Sequence, residues 1–137
     1  MNEINIQAIP ILLPCCTMCH FLADYPLQGV LANFKQHKWW EDNNLPNENH
    51  KNSNTALRIH GGSWAFMINF PIILYMFFTE QYSFMFVLWS ICINGIIHYI
   101  VDDAKCNEGW ISYRTDQWIH MIQVGITWLI YYLIMVF

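Results

Sequence analysis

Apolar residues gather in four long stretches, approximately residues 4–24, 58–79, 82–102 and 117–137, with polar connections between them. A helix needs about 20 residues to cross a bilayer, so each stretch predicts a spanning helix. The first is interrupted by Pro10 and Pro14, which predicts a kink. It also has the length of a signal peptide, but Glu3 stands at its start, no basic residue precedes it and no small-x-small cleavage site follows. A retained span is therefore expected.

The connection over residues 25–57 is long. Pro26 should end or bend the first helix. Leu27, Val30, Leu31 and Phe34 then recur at helical spacing, followed by Lys35, Lys38, Trp39 and Trp40. This pattern predicts a short amphipathic helix in the membrane surface; a connecting helix packed on the bundle fits the same residues. Residues 42–54 hold six asparagines and no packing residue beyond Leu45, which predicts a flexible loop. Residues 79–81 read as a tight turn and 103–115 as a short polar connection. The expected fold is all-α, a single domain over residues 1–137 built as a four-helix transmembrane bundle.

Composition strengthens the membrane reading: 55% of the 137 residues are hydrophobic and 12% are charged, against about 25% charged in soluble domains. A net charge of −4 with six basic residues, none forming a patch, argues against a nucleic-acid partner. Lys35, Lys38, Lys51 and Arg58 belong to the first connection, Lys105 and Arg114 to the third, while the other side carries Glu3 and Glu80. The positive-inside rule then predicts an inner-membrane protein with both termini outside. Cys15, Cys16, Cys19 and Cys92 lie in apolar stretches. Cys16-x-x-Cys19 has no second CxxC to complete a zinc site, so these cysteines read as small apolar residues.

Against this apolar background stand three histidine–aspartate pairs, each four residues apart: His20/Asp24, His98/Asp102 and Asp116/His120. His60 opens another span. Residues i and i+4 share a helix face. In the predicted topology all seven side chains meet at one level on the cytoplasmic side. An unpaired aspartate in a membrane costs ~2.5–3.5 kcal/mol at the bilayer centre, so such groups mark function by default. Protonated histidines are one remedy and bound cations another. Imidazole with carboxylate suits zinc, iron or manganese, and seven ligands exceed what one tetrahedral ion takes, so a two-metal centre is expected. The same pairs, taken singly, are also the pattern of a local hydrogen bond. Asp103 is expected at the surface near Arg114, His37 and His50 are given no role, and Gly61-Gly62 is read as a site of close helix approach.

The run His20-Phe-Leu-Ala-Asp24-Tyr-Pro-Leu-Gln28, with Leu31-Ala-Asn-Phe-Lys35 after it, resembles the opening signature of the domain-of-unknown-function 3307 family, small membrane proteins of bacteria and phages. His60, His98-x-x-x-Asp102-x-x-Lys105 and Asp116-Gln117-x-x-His120 follow in the same order. The resemblance implies a helical membrane protein whose polar positions form one site, and adds Gln28, Lys35, Lys105 and Gln117 to it. It implies no reaction. Lys35 and Lys105 are expected to bind an anionic group, and Gln28 and Gln117 to orient ligands.

Three functions are compatible with these residues. The first is a metal-dependent hydrolase acting on an amphiphilic, lipid-like substrate, with membrane lipid as partner. The second is a proton or metal-ion binding and transport protein. The third is a structural or regulatory membrane protein in which the cluster locks the bundle. A homo-oligomer is left open.

Overall fold

In the computed structural model, which describes residues 8–81 and 83–136, the chain forms helices and turns and, among the described residues, no strand. The helices are α1 (Ile9–Asp24), α2 (Leu31–Phe34), α3 (His37–Asp42), α4 (Lys51–Phe78), α5 (Phe84–Cys106) and α6 (Tyr113–Val136), with a single 3-10 turn over Glu48–His50 before α4. Three helical segments are long and apolar enough to cross a membrane: Glu48–Phe78, Phe84–Cys106 and Tyr113–Val136. Residues 4–7 of the expected first span lie outside the described residues, and the 16-residue α1 is shorter than those three. Pro10 sits in its first turn, where the missing N–H costs no bond.

α4 is the central element and packs against α1, α5 and α6. Its buried face carries Ala56, Leu57, His60, Trp64, Ile68, Ile72 and Met76, which recur at the three- and four-residue steps of one helix face. Ile9, Leu12 and Cys16 of α1 and Val124 and Tyr131 of α6 close the core around it. Side chains such as Phe77, Phe78, Ile96 and Ile100 point outward instead, as expected of helices whose surroundings are as apolar as their interior.

At Gly61, α4 and α5 approach so closely that an added Cβ would stand 2.9 Å from the carbonyl oxygen of Gly95. That obstacle is backbone and cannot swing aside. Gly61→Ala should therefore lower stability by about 1–3 kcal/mol, the usual cost of overpacking. Gly62 has nothing within 4 Å of such a Cβ, and Gly62→Ala should stabilise by up to about 1 kcal/mol through helix propensity. Thermal unfolding of the two variants in detergent checks the contrast. Of the two glycines, only Gly61 makes the close approach.

The first connection differs from its expected form in two ways. α4 begins at Lys51 rather than Arg58, so residues 42–54 include a 3-10 turn and the first residues of a helix. The Asn47 side-chain oxygen accepts the backbone N–H of Asn52 at 3.0 Å and of Ser53 at 3.2 Å, satisfying first-turn donors that would otherwise be orphaned. Asn49 and His50 adopt left-handed backbone angles, φ 50° and 58°. The expected amphipathic helix is two short helices, α2 and α3, broken at Lys35-Gln36. Asn107, just past α5, holds that break: its side chain accepts from the His37 N–H at 2.8 Å and donates to the Lys35 carbonyl at 3.1 Å. Lys35 consequently points inward. Asp103 accepts from the Asn107 amide at 2.6 Å and makes no ion pair with Arg114.

Candidate metal centre

Helix ends bring the polar residues to one end of the bundle. α1 closes with His20 and Asp24, α5 approaches its end with His98 and Asp102, and α6 opens with Asp116 and His120; His60 faces them from α4. All seven are at most 4% exposed. The His60 Nε2 lies 3.4 Å from Asp24 Oδ1 and 3.4 Å from Asp102 Oδ2. His98 Nε2 lies 3.6 Å from Asp102 Oδ2, and His120 Nε2 lies 3.2 Å from Asp116 Oδ1. His120 Nε2 also lies 4.0 Å from Asp102 Oδ1 and the His20 and His120 ring centroids are 6.0 Å apart, so the seven candidate ligands form one buried cluster.

Trp64, which by its sequence position reads as an aromatic of the membrane interface, is instead fully buried in the middle of this cluster. Its indole N–H donates to His20 Nδ1 at 2.9 Å. Its ring stacks on His98 with centroids 4.2 Å apart, and His98 stacks on His120 at 4.1 Å. An indole N–H only donates, so His20 Nδ1 accepts and its proton sits on Nε2. In this arrangement His20 has no lone pair left for a cation. His120 is oriented the opposite way. Its Nδ1 lies 3.0 Å from Gln123 Oε1, whose amide nitrogen donates to Asn94, so Nδ1 carries a proton; in the neutral ring Nε2, 3.2 Å from Asp116 Oδ1, is then the free acceptor. A metal-binding histidine is normally held in this manner by a partner on its other nitrogen.

The lysines and glutamines fall into two classes. Lys35 Nζ donates to Asp102 Oδ2 at 2.6 Å; Lys105 Nζ donates to Asp102 Oδ1 at 2.6 Å and to Asp116 Oδ2 at 2.8 Å. Both lysines thus bind the chain's own carboxylates. Gln117 donates to Asp24 Oδ2 at 2.7 Å and Asp116 Oδ2 at 3.0 Å, which orients two candidate ligands. Gln28 does not touch a ligand side chain; it donates to the Asp24 backbone carbonyl and caps the end of α1. Tyr25 and Tyr113 extend the Gln117 contact outward: the Tyr25 hydroxyl bonds to that of Tyr113 and donates to Gln117 Oε1 at 3.1 Å. Burial first, and then the Tyr113 hydroxyl, push the Tyr25 phenol up to about 12, so it stays protonated.

Several buried atoms of the cluster lack a well-formed hydrogen bond, although His60 Nε2 and His120 Nε2 each stand at ion-pair distance from a carboxylate, so a proton or a cation could complete them. Buried nitrogens of His60 (Nε2), His98 (both) and His120 (Nε2), and the Asp116 Oδ1, have no hydrogen-bond partner. Buried polar atoms are rarely left so. Two triads could hold an ion, Asp24/His60/His98 and His98/Asp102/His120, with ligand atoms within 4.8 Å of one another in each. They share His98, and neither includes His20 or Asp116. Both oxygens of Asp102 already take a lysine, whereas Asp24 Oδ1 faces only His60. The first triad is the freer of the two.

A second polar feature continues from this cluster. Ser90, Asn94, His98 and Asp102 recur every fourth residue along α5, a stripe of about 18 Å at 1.5 Å per residue. Gln123 bonds to Asn94, Asn94 to Thr127 at 2.8 Å, and Ser90 to Asn69 at 2.7 Å. Asn69 and Asn94 thus belong to one polar network, which the four-residue recurrence along α5 marks in the sequence. Comparison of the chain with protein-family models, curated proteins and solved structures finds no match to any of them.

Proposed function

We propose that the chain is a membrane protein that holds one divalent transition-metal ion between Asp24, His60 and His98 and hydrolyses an amphiphilic, lipid-like substrate. The bare imidazole nitrogens in a buried carboxylate cluster carry this reading. α1 is read as a fourth span, α2 and α3 lie at the membrane surface, and basic residues of the first and third connections put both termini outside.

The lysines reduce the number of ions from the two suggested by ligand count. Three carboxylates against the ammonium groups of Lys35 and Lys105 leave one formal negative charge. One divalent ion leaves the site close to neutral; two would leave it strongly positive in a medium that penalises charge. Zinc, iron and manganese suit the ligands. An ion there supplies Lewis acidity towards water and a phosphoryl or acyl oxygen. The chain supplies the proton acceptor. His120, held by Gln123, takes a proton from the attacking water at Nε2, and Asp116 Oδ1, 3.2 Å away, stabilises the resulting imidazolium.

The polar stripe of α5 favours a second reading, transfer of protons or metal ions across the bilayer. Reconstitution into phospholipid vesicles separates the two. Hydrolysis predicts released headgroup or acyl product, abolished by chelator and by His120→Gln, with Ser90→Ala active. Transport predicts flux abolished by Ser90→Ala without product, an outcome that removes the hydrolase reading.

A further inference from the structure

Between α1 and α6, beside the buried cluster, runs an open groove of about 500 Å³. Phe21 and Trp118 form apolar walls, Arg114 stands at the rim and Gln117 lines the groove. The walls are substantially exposed, Phe21 at 43% and Trp118 at 66%. Arg114 is exposed and has no ion pair among the described residues. This distinguishes it from Lys35 and Lys105, which are spent on aspartates.

Gln117 makes the groove more than a surface crease. The Tyr113 hydroxyl bonds to Tyr25, Tyr25 donates to Gln117, and Gln117 donates to Asp24 and Asp116. A continuous line of hydrogen bonds thus joins the groove to the buried carboxylates. Anything polar that enters and exchanges bonds with Gln117 or Tyr25 alters the support of two cluster residues. The occupant's chemistry follows from the lining. Aromatic walls suit an acyl chain, and an unpaired guanidinium suits a phosphate in bidentate fashion. Tryptophan and tyrosine at the start of a spanning helix mark headgroup level.

We propose that this groove binds a membrane phospholipid with an exposed phosphate monoester, its phosphate on Arg114 and one chain between Phe21 and Trp118. The inference rests on the hydrolytic reading of the cluster and names its substrate class: an anionic phospholipid presented laterally from the bilayer. Lysines of the cluster do not contact it. Tyr25 and Gln117 are the groups through which it reaches the site.

Native mass spectrometry of the full chain in detergent tests it, with phosphatidic acid, phosphatidylcholine and inorganic phosphate as probes. Phosphatidic acid should bind at least about fivefold more tightly than phosphatidylcholine, matching the ~1 kcal/mol that a basic residue contributes at a membrane surface. Arg114→Gln should remove that preference while metal content stays unchanged, and Trp118→Ala should weaken both lipids. Equal affinity for the two lipids, or a preference that survives Arg114→Gln, overturns the proposal. Displacement of phosphatidic acid by millimolar phosphate would make this a soluble-anion site and also overturns it. Lipid retention is read without turnover. A retained preference with no product in the vesicle assay therefore leaves the groove assigned and removes only the hydrolase.

Discussion

Purified wild-type protein should retain a divalent transition metal through detergent extraction, and His98→Phe should retain essentially none. His98 is wholly buried, belongs to both triads and has no hydrogen-bond partner at either ring nitrogen. Phenylalanine keeps an aromatic ring between Trp64 and His120 and removes both nitrogens, and its larger ring is controlled for by the stability comparison. Loss of a group that merely orients a ligand weakens metal binding about 10–100-fold, and loss of a ligand should exceed that. Elemental analysis of the two proteins at matched thermal stability gives the answer. Wild type free of metal at full stability would leave the cluster as an ion-pair lock between helices, the third function compatible with the sequence.

Asp102→Asn should destabilise the bundle by about 3–5 kcal/mol, the usual result of leaving a buried charge uncompensated. Asp102 is fully buried and receives Lys35 and Lys105 at 2.6 Å each; their side chains are 6% and 17% exposed. Asparagine keeps the shape but turns an N–H donor towards one of two ammonium groups. The companion variant Asp102→Asn/Lys35→Met removes one stranded charge and should recover part of the loss, giving a coupling energy from the double-mutant cycle. Unfolding in detergent by heat is the measurement. Additive effects would mean that the Lys35–Asp102 contact does not hold α2 and α3 to α5.

The two results probe different parts of one arrangement. Lys35 and Lys105 neutralise Asp102 and part of Asp116, leaving Asp24 Oδ1 and the imidazoles as the accessible donors. The metal content reports on those donors, and stability reports on the lysines. Gly61 underlies both, since the close approach of α4 to α5 sets His60 beside His98 with ring centroids 4.9 Å apart.

The apolar stretches, the four-residue spacing and the charge of the connections were enough to predict an all-helical chain with four spans, three of which have the length and apolarity to cross a membrane, and the seven histidines and aspartates as one group. These depend on local regularities: residues four apart share a face, and about 20 apolar residues cross a bilayer. The start of α4 was less legible because polar Asn and Ser residues hid the buried stripe Ser53, Ala56, Leu57, His60. Tertiary structure alone decided which carboxylate each lysine takes, that Trp64 commits His20 to the wrong tautomer for a cation, and that Gln123 keeps a proton on His120 Nδ1. Those contacts join residues 44 and 67 positions apart as readily as neighbours. Hydrogen-bond partners depend on how helices rotate and cross, which side-chain packing between separate elements sets, and no spacing along one helix encodes that rotation.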